Sequence, residues 1–210
     1  MLPTLTYLFD PLCGWCYGAS PMIQKLAQQS NLKLELAPTG LFSGGGRTMD
    51  AAFAEYAWAN DVRIEKLTGQ RFTELYRAQI LGKYGSRFDS ETVTLALTAV
   101  SLTEPQRELA TLKVLQEARY VYALDVTATT VVEKLLHDMG LVAAADLLAT
   151  GDAELRQSND ARLQSSQHLL RTYGITGVPN MVVTDDNGSR LLSGDALFGS
   201  VDKLLSLLGK

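Results

Sequence analysis

Basic residues are outnumbered in this 210-residue chain, 19 Lys and Arg against 23 Asp and Glu, and nowhere do they cluster. That excludes a nucleic-acid surface, because phosphate binding needs grouped cations. No uninterrupted apolar run is long enough to cross a bilayer, which excludes a membrane-spanning helix. The opening stretch, MLPTLTYLFDP, holds no basic residue and so lacks the n-region of a secretory leader. The cytoplasm is therefore the expected location. Histidine is scarce: only His137 and His168, far apart along the chain. With no second CxxC to complete a tetrahedral zinc site, no metal and no cofactor is expected. Internal repeats, linkers and low-complexity tracts are missing too, which leaves an ordinary globular chain with 46% hydrophobic residues.

The scarcity of cysteine points to one stretch, because the only two lie together in FDPLCGWCYG, residues 9–18. In reducing surroundings a structural disulfide is disfavoured, and a paired CxxC reads as redox-active or metal-binding. Its context favours redox chemistry. The residues before it alternate like a strand, with Leu5, Tyr7 and Phe9 on one face, and a helix pattern runs from Cys13 to about Gln29. Pro21 lies inside that helix and should kink it. A helix N-terminus presents unpaired N–H groups and the positive end of the macrodipole, which favours a thiolate. Cys13, nearer the helix start and the more exposed, is the expected nucleophile. Cys16, one turn on, can resolve the mixed disulfide.

The rest of the chain supplies a fold around this pair. LKLELAPTGLF (32–42) alternates as a second strand and runs into the loop SGGGR (43–47). From about 48 to 173 the pattern is helical, with Glu104-Pro105 opening one helix and a long polar helix over 152–174. PNMVVTD and SRLLSG flank DDNG, where Asn187-Gly188 signals a hairpin. An amphipathic helix closes the chain. The expected fold is α/β, thioredoxin-like (βαβ–αββα), interrupted by a large all-helical insertion. Residues 1–47 and 165–210 would form the thioredoxin-like domain and 48–164 the insertion. Pro179, in GVPNMVV, directly precedes a strand, the setting of a cis X-Pro turn.

The CGWC motif after a strand, the proline inside the following helix, the GVP before a late strand and the helical insertion together resemble the DsbA-type thioredoxin-fold thiol–disulfide oxidoreductases. FDPLCGWCYG is especially similar to their cytoplasmic FrnE-like branch. The resemblance implies Cys13 as nucleophile and Cys16 as resolving cysteine. It implies Gly14 and Trp15 as the dipeptide that tunes redox potential, at an exposed helix entrance. Val178 and Pro179 would form the cis-proline loop that faces the cysteines and binds substrate. Disulfide-containing proteins or peptides are the implied substrates, with glutathione or a thioredoxin-type protein as recycling partner. The alternative is a glutathione-dependent transferase or isomerase of the kappa or 2-hydroxychromene-2-carboxylate type, which typically carries a serine where Cys13 stands.

Several other residues invite functional readings but carry blander ones. SGGGR matches no phosphate-binding glycine motif and reads as a flexible loop. His137 and His168 read as surface residues, and Tyr56 and Trp58 as packing residues of the insertion. Asp10 reads as a turn residue before Pro11 rather than as a proton acceptor for Cys16.

Overall fold

The computed structural model of the chain describes residues 2–208. Strand β1 (Thr4–Phe9) lies at the centre of a four-stranded sheet ordered β2-β1-β3-β4, with β2 at Lys33–Pro38, β3 at Asn180–Asp185 and β4 at Gly188–Leu192. β1 pairs parallel with β2, Tyr7 opposite Leu36, and antiparallel with β3, Tyr7 opposite Met181. The expected second strand ends early. Beyond Pro38 the chain leaves the ladder, Thr39 donating its N–H to the Phe9 carbonyl at 2.8 Å. The β3–β4 hairpin turns at Asp186-Asn187, one residue earlier than the Asn-Gly signal suggests. Gly188 instead pairs with Asp185 at a φ of 102°, a left-handed conformation that glycine adopts without strain.

Alternation along β1 divides the core. Leu5, Tyr7 and Phe9 join the main cluster with helix α1 (Gly14–Ala27), whereas Leu8 packs with Ala37 and Val182 against Leu169, Leu170 and Tyr173. Those last residues belong to or follow α8 (Ala153–Thr172), so the sheet is covered on both faces. α8 runs unbroken past residues 164 and 165, the boundary expected from sequence. Its Arg162 bonds Glu108 at 2.6 Å, Thr98 at 3.1 Å and the Leu36 carbonyl at 3.3 Å, tying α8 to two helices of the insertion and to β2.

α1 continues as one helix through Pro21. A proline frees the carbonyl four residues back. Here that carbonyl, on Tyr17, accepts from the Gln70 side-chain amide at 3.3 Å, while the same amide nitrogen reaches Ser20 Oγ at 2.9 Å. The insertion therefore satisfies a bond that the helix cannot make for itself. Buried Ile23 and Leu26 add about 1.5–3 kcal/mol each through removal from water.

The helical block comprises α2 (Ala51–Thr68), α3 (Glu74–Tyr76) running into a π-helical turn at Arg77–Leu81, α4 (Glu91–Thr103), α5 (Glu108–Tyr120), α6 (Thr129–Asp138) and α7 (Val142–Thr150). α2 lies against α1 so closely that a Cβ on Gly18 would sit 2.5 Å from Ile64 Cγ2. Tyr17, Phe72, Tyr76 and Tyr120 form an aromatic cluster bridging α1 and the block, with Tyr17 and Tyr120 stacked at 4.9 Å. Tyr120 also donates to the Leu12 carbonyl at 2.7 Å, immediately before the cysteine pair. The chain closes with α9 (Val201–Ser206).

Candidate active site

Both cysteines are free thiols at the start of α1. Cys13 is the N-cap: its extended backbone leads into the helix, and its Sγ accepts from the Cys16 N–H at 3.4 Å. A sulfur in this position meets an otherwise unpaired donor and the positive end of the helix dipole. Cys13 keeps 7% of its surface exposed and Cys16 only 1%. Burial is the main force pushing the Cys16 thiol well above its ordinary range. The adjoining Cys13 sulfur pushes the same way, the Asp10 backbone N–H opposes it, and the Asp10 carboxylate adds to the rise. The pair is thus asymmetric, with Cys13 the more exposed of the two and Cys16 held as a thiol behind it.

The distant marker arrives at the same place. The Val178–Pro179 peptide bond is cis, and the Cys13 thiol faces the Val178 carbonyl at 3.6 Å. Asn180 braces this loop, its Nδ2 donating to the Gly177 carbonyl at 2.8 Å and its Oδ1 accepting from the Gly194 N–H at 3.2 Å. The structure therefore brings Cys13, Cys16, Val178 and Pro179 together.

Gly14 and Trp15 are less free than an exposed helix entrance implies. Trp15 is half-buried, edge-on to Phe198 at 5.4 Å and under the Arg63 guanidinium at 5.7 Å. A Cβ on Gly14 would lie 2.5 Å from Asp61 Oδ1. Any side chain at Gly14 must therefore displace a buried carboxyl, so a change of this dipeptide alters more than redox potential.

Sequence reasoning missed Asp61, which is 4% exposed. The Tyr76 hydroxyl donates to its Oδ2 at 3.2 Å. Burial raises its carboxyl to about 7, against the lowering influence of that hydrogen bond and of Arg119. The one sequence signal was its place on the apolar stripe of α2, in register with Ala54, Ala57 and Ile64. Asp61 lines a cavity with Cys13, and Tyr56 lines the same cavity while 67% exposed, so Tyr56 is not a core packing residue. Trp58 is half-buried beneath Arg77, whose guanidinium lies 5.0 Å from its ring centre.

Asp10 does make the expected turn, accepting from the Leu12 N–H at 2.9 Å. It is also fully buried and accepts from the Phe42 N–H at 3.0 Å and Ser90 Oγ at 2.8 Å. Burial outweighs those bonds and raises its carboxyl to about 6. One side chain thus joins the cysteine turn, the loop after β2 and the start of α4. His137 and His168 are exposed, and Gly44–Arg47 form an exposed loop. Among the described residues no cluster of three or more His, Cys, Asp or Glu could hold a metal, and no helix is long and apolar enough to cross a membrane.

The elevated Asp61 carboxyl makes stability depend on pH. Unfolded, it ionises near 3.8; folded, near 7. Between those values the folded protein holds a proton that the unfolded chain has released. Its contribution is therefore complete below about pH 4 and lost as pH rises through 7. Asp61→Asn keeps an acceptor for Tyr76 but cannot ionise. Relative to the native protein, it should gain about 2–3 kcal/mol between pH 5 and pH 8, measured by urea unfolding. A native–mutant difference that is the same at both pH values would show that Asp61 holds no such proton.

The sequence matches the model of the DSBA-like thioredoxin domain over residues 4–206. No curated protein sequence matches significantly. Among solved structures, the chain is similar to the cytosolic disulfide reductase DsbM from Pseudomonas aeruginosa. It is 29% identical to that protein, with 98% of this chain and 97% of that chain covered and a TM-score of 0.85. A structure of the same reductase with GSH gives a TM-score of 0.83 at the same identity and coverage. A candidate protein disulfide isomerase from Nitrosomonas europaea is 25% identical over 99% of both chains, with a TM-score of 0.80. The family match runs nearly the whole length of a chain whose CxxC caps a helix and whose cis-proline loop meets the first sulfur: the chain belongs to the DSBA-like thioredoxin domain family.

Proposed function

We propose that this protein is a cytoplasmic disulfide reductase that works by two-cysteine exchange, and one observation carries the reading. The Cys13 sulfur caps α1 with the Cys16 N–H on one side and the Val178 carbonyl on the other, while Cys16 lies buried behind it. The Cys13 thiolate attacks one sulfur of a substrate disulfide. That S–S bond breaks, the other half leaves as a thiolate, and a mixed disulfide remains on Cys13. Cys16 attacks the Cys13 sulfur and forms the Cys13–Cys16 disulfide, its proton going to the second half, which leaves as a thiol. Two electrons have passed to the substrate, and an external thiol returns them.

The reductive direction and the cytoplasmic setting are supported by the likeness to a cytosolic disulfide reductase. The GSH-bound form of that protein supports glutathione as the external thiol. A recess beside the pair, lined by Trp15, Pro179, Phe198 and the charged Arg63 and Asp195, offers both a cation and an anion to a zwitterionic peptide. Val178 and Pro179 would hold the substrate backbone, and Gly14 and Trp15 would set the potential of the pair.

Turnover of insulin disulfides with glutathione as the recycling thiol, run beside a glutathione-conjugation assay, tests this function. Disulfide reduction without conjugation is expected. Conjugation without disulfide reduction would overturn it in favour of the kappa-transferase or isomerase type of chemistry.

A further inference from the structure

A cavity of about 210 Å³ lies between the cysteine turn and the helical block, lined by Cys13 and sharing Trp15 and Val178 with the recess. A cavity of roughly 150 Å³ lined by aliphatic and aromatic side chains holds benzene, so this one has room for a single ring and its linker. Its walls are apolar, with Leu12, Phe53, Ile64, Phe88 and Tyr120 among them, and Cys13 opens into it. Asp61 is the one carboxyl in the lining, beside the first residue of α1 after Cys13. The proposed exchange gives no role to either the cavity or Asp61.

We propose that this cavity receives the departing half of a small disulfide, an arylalkyl thiol, and that Asp61 gives that half's sulfur its proton. The inference rests on the disulfide-exchange reading. When the Cys13 thiolate attacks, the S–S bond breaks and the electron pair goes to the departing sulfur. In an apolar cavity a bare thiolate is poorly solvated and leaves slowly. Transfer of the Asp61 proton makes it a neutral thiol, and the carboxylate left behind recovers a proton from solvent. The carboxyl is suited to this: burial raises it to about 7, so near neutral pH about half of the molecules carry the proton. The groups facing it are the Tyr76 hydroxyl, Arg119 and Tyr120 from α5, and Cys13 at the start of α1. The remaining half, on the Cys13 sulfur, has the recess within reach past Trp15 and Val178, which line both spaces. A mixed disulfide of an apolar thiol with a polar one fits both sides of the site.

Benzyl 2-hydroxyethyl disulfide tests the assignment. Mixed with the Cys16→Ser protein, it should leave the hydroxyethyl half trapped on Cys13 and release benzyl thiol, in a ratio of about ten or more by intact mass. The native reduced protein should be oxidised about tenfold faster by this compound than by bis(2-hydroxyethyl) disulfide. Asp61→Asn should slow release of the poorly leaving benzyl thiol by about 10²-fold while sparing a thiophenol leaving group, whose sulfur needs no proton to depart. The ratio of native to mutant rates should fall as pH rises through about 7. Equal trapping of both halves and equal oxidation rates would overturn the cavity's role, and need no Asp61 variant. Equal slowing of both leaving groups would overturn that of Asp61. If neither disulfide oxidises the reduced native protein, the exchange reading itself fails.

Discussion

Cys13→Ser is expected to drop disulfide turnover to the uncatalysed background, whereas Cys16→Ser should stop after half a cycle. The two sulfurs differ in access and in what surrounds them. Cys13 lies at the helix start, where the Cys16 N–H meets its sulfur at 3.4 Å. A serine hydroxyl there has the same capping geometry but no nucleophilicity towards a disulfide. Cys16, 1% exposed and held as a thiol by burial, has no path to an incoming disulfide. It can reach the Cys13 sulfur one turn away. Its removal leaves the first exchange intact and the second undone, so substrate should accumulate on Cys13 as a one-to-one adduct. Intact mass before and after dithiothreitol reads this directly. Equal residual turnover in the two variants would rule out a division of labour between the sulfurs.

What could be read from sequence was local. Alternation marked β1, the CxxC spacing marked the helix start, and Pro179 before an apolar run marked the loop that ends at Cys13. Each is a signal within a few residues, fixed by backbone geometry that the sequence encodes directly. The strands that pair and the helix that follows were legible for the same reason. What escaped was decided by contacts between distant segments. Asp10 meets Ser90 across 80 positions. Asp61 sits in AWANDVRIEK, where a charged residue on a helix reads as solvated unless its position on the apolar stripe is weighed. Gly14 read as part of an exposed entrance because nothing nearby in sequence shows that α2 lies against it. The rescue of the Tyr17 carbonyl by Gln70 is likewise visible only once α1 and the insertion are packed together. The π-helical turn at Arg77–Leu81 left no trace in local propensity.

The same distinction predicts a single change that damages the fold heavily. Asp10→Ala should destabilise the protein by about 3 kcal/mol or more. It strips the acceptor from the Leu12 and Phe42 N–H groups, and a buried donor left unpaired costs roughly 1–3 kcal/mol. Ser90 loses one partner but keeps Ser43 Oγ at 3.0 Å, so the damage falls on the cysteine turn and the loop after β2. Asp10→Asn should be milder, because one amide oxygen still accepts while the amide nitrogen can donate to Ser90 Oγ. Its cost should also depend on pH. The Asp10 carboxyl, near 3.8 in the unfolded chain and about 6 in the folded one, contributes stability that is lost as pH rises through 6. An asparagine carries no such loss, so its deficit should shrink by about 1–2 kcal/mol between pH 5 and pH 8. Urea unfolding of the native protein and both variants at the two pH values measures all of this. An Asp10→Ala protein within 1 kcal/mol of native at pH 5 would mean that the turn holding Cys13 in place does not depend on this carboxyl, and that Tyr120, bonded to the Leu12 carbonyl, is enough to fix it.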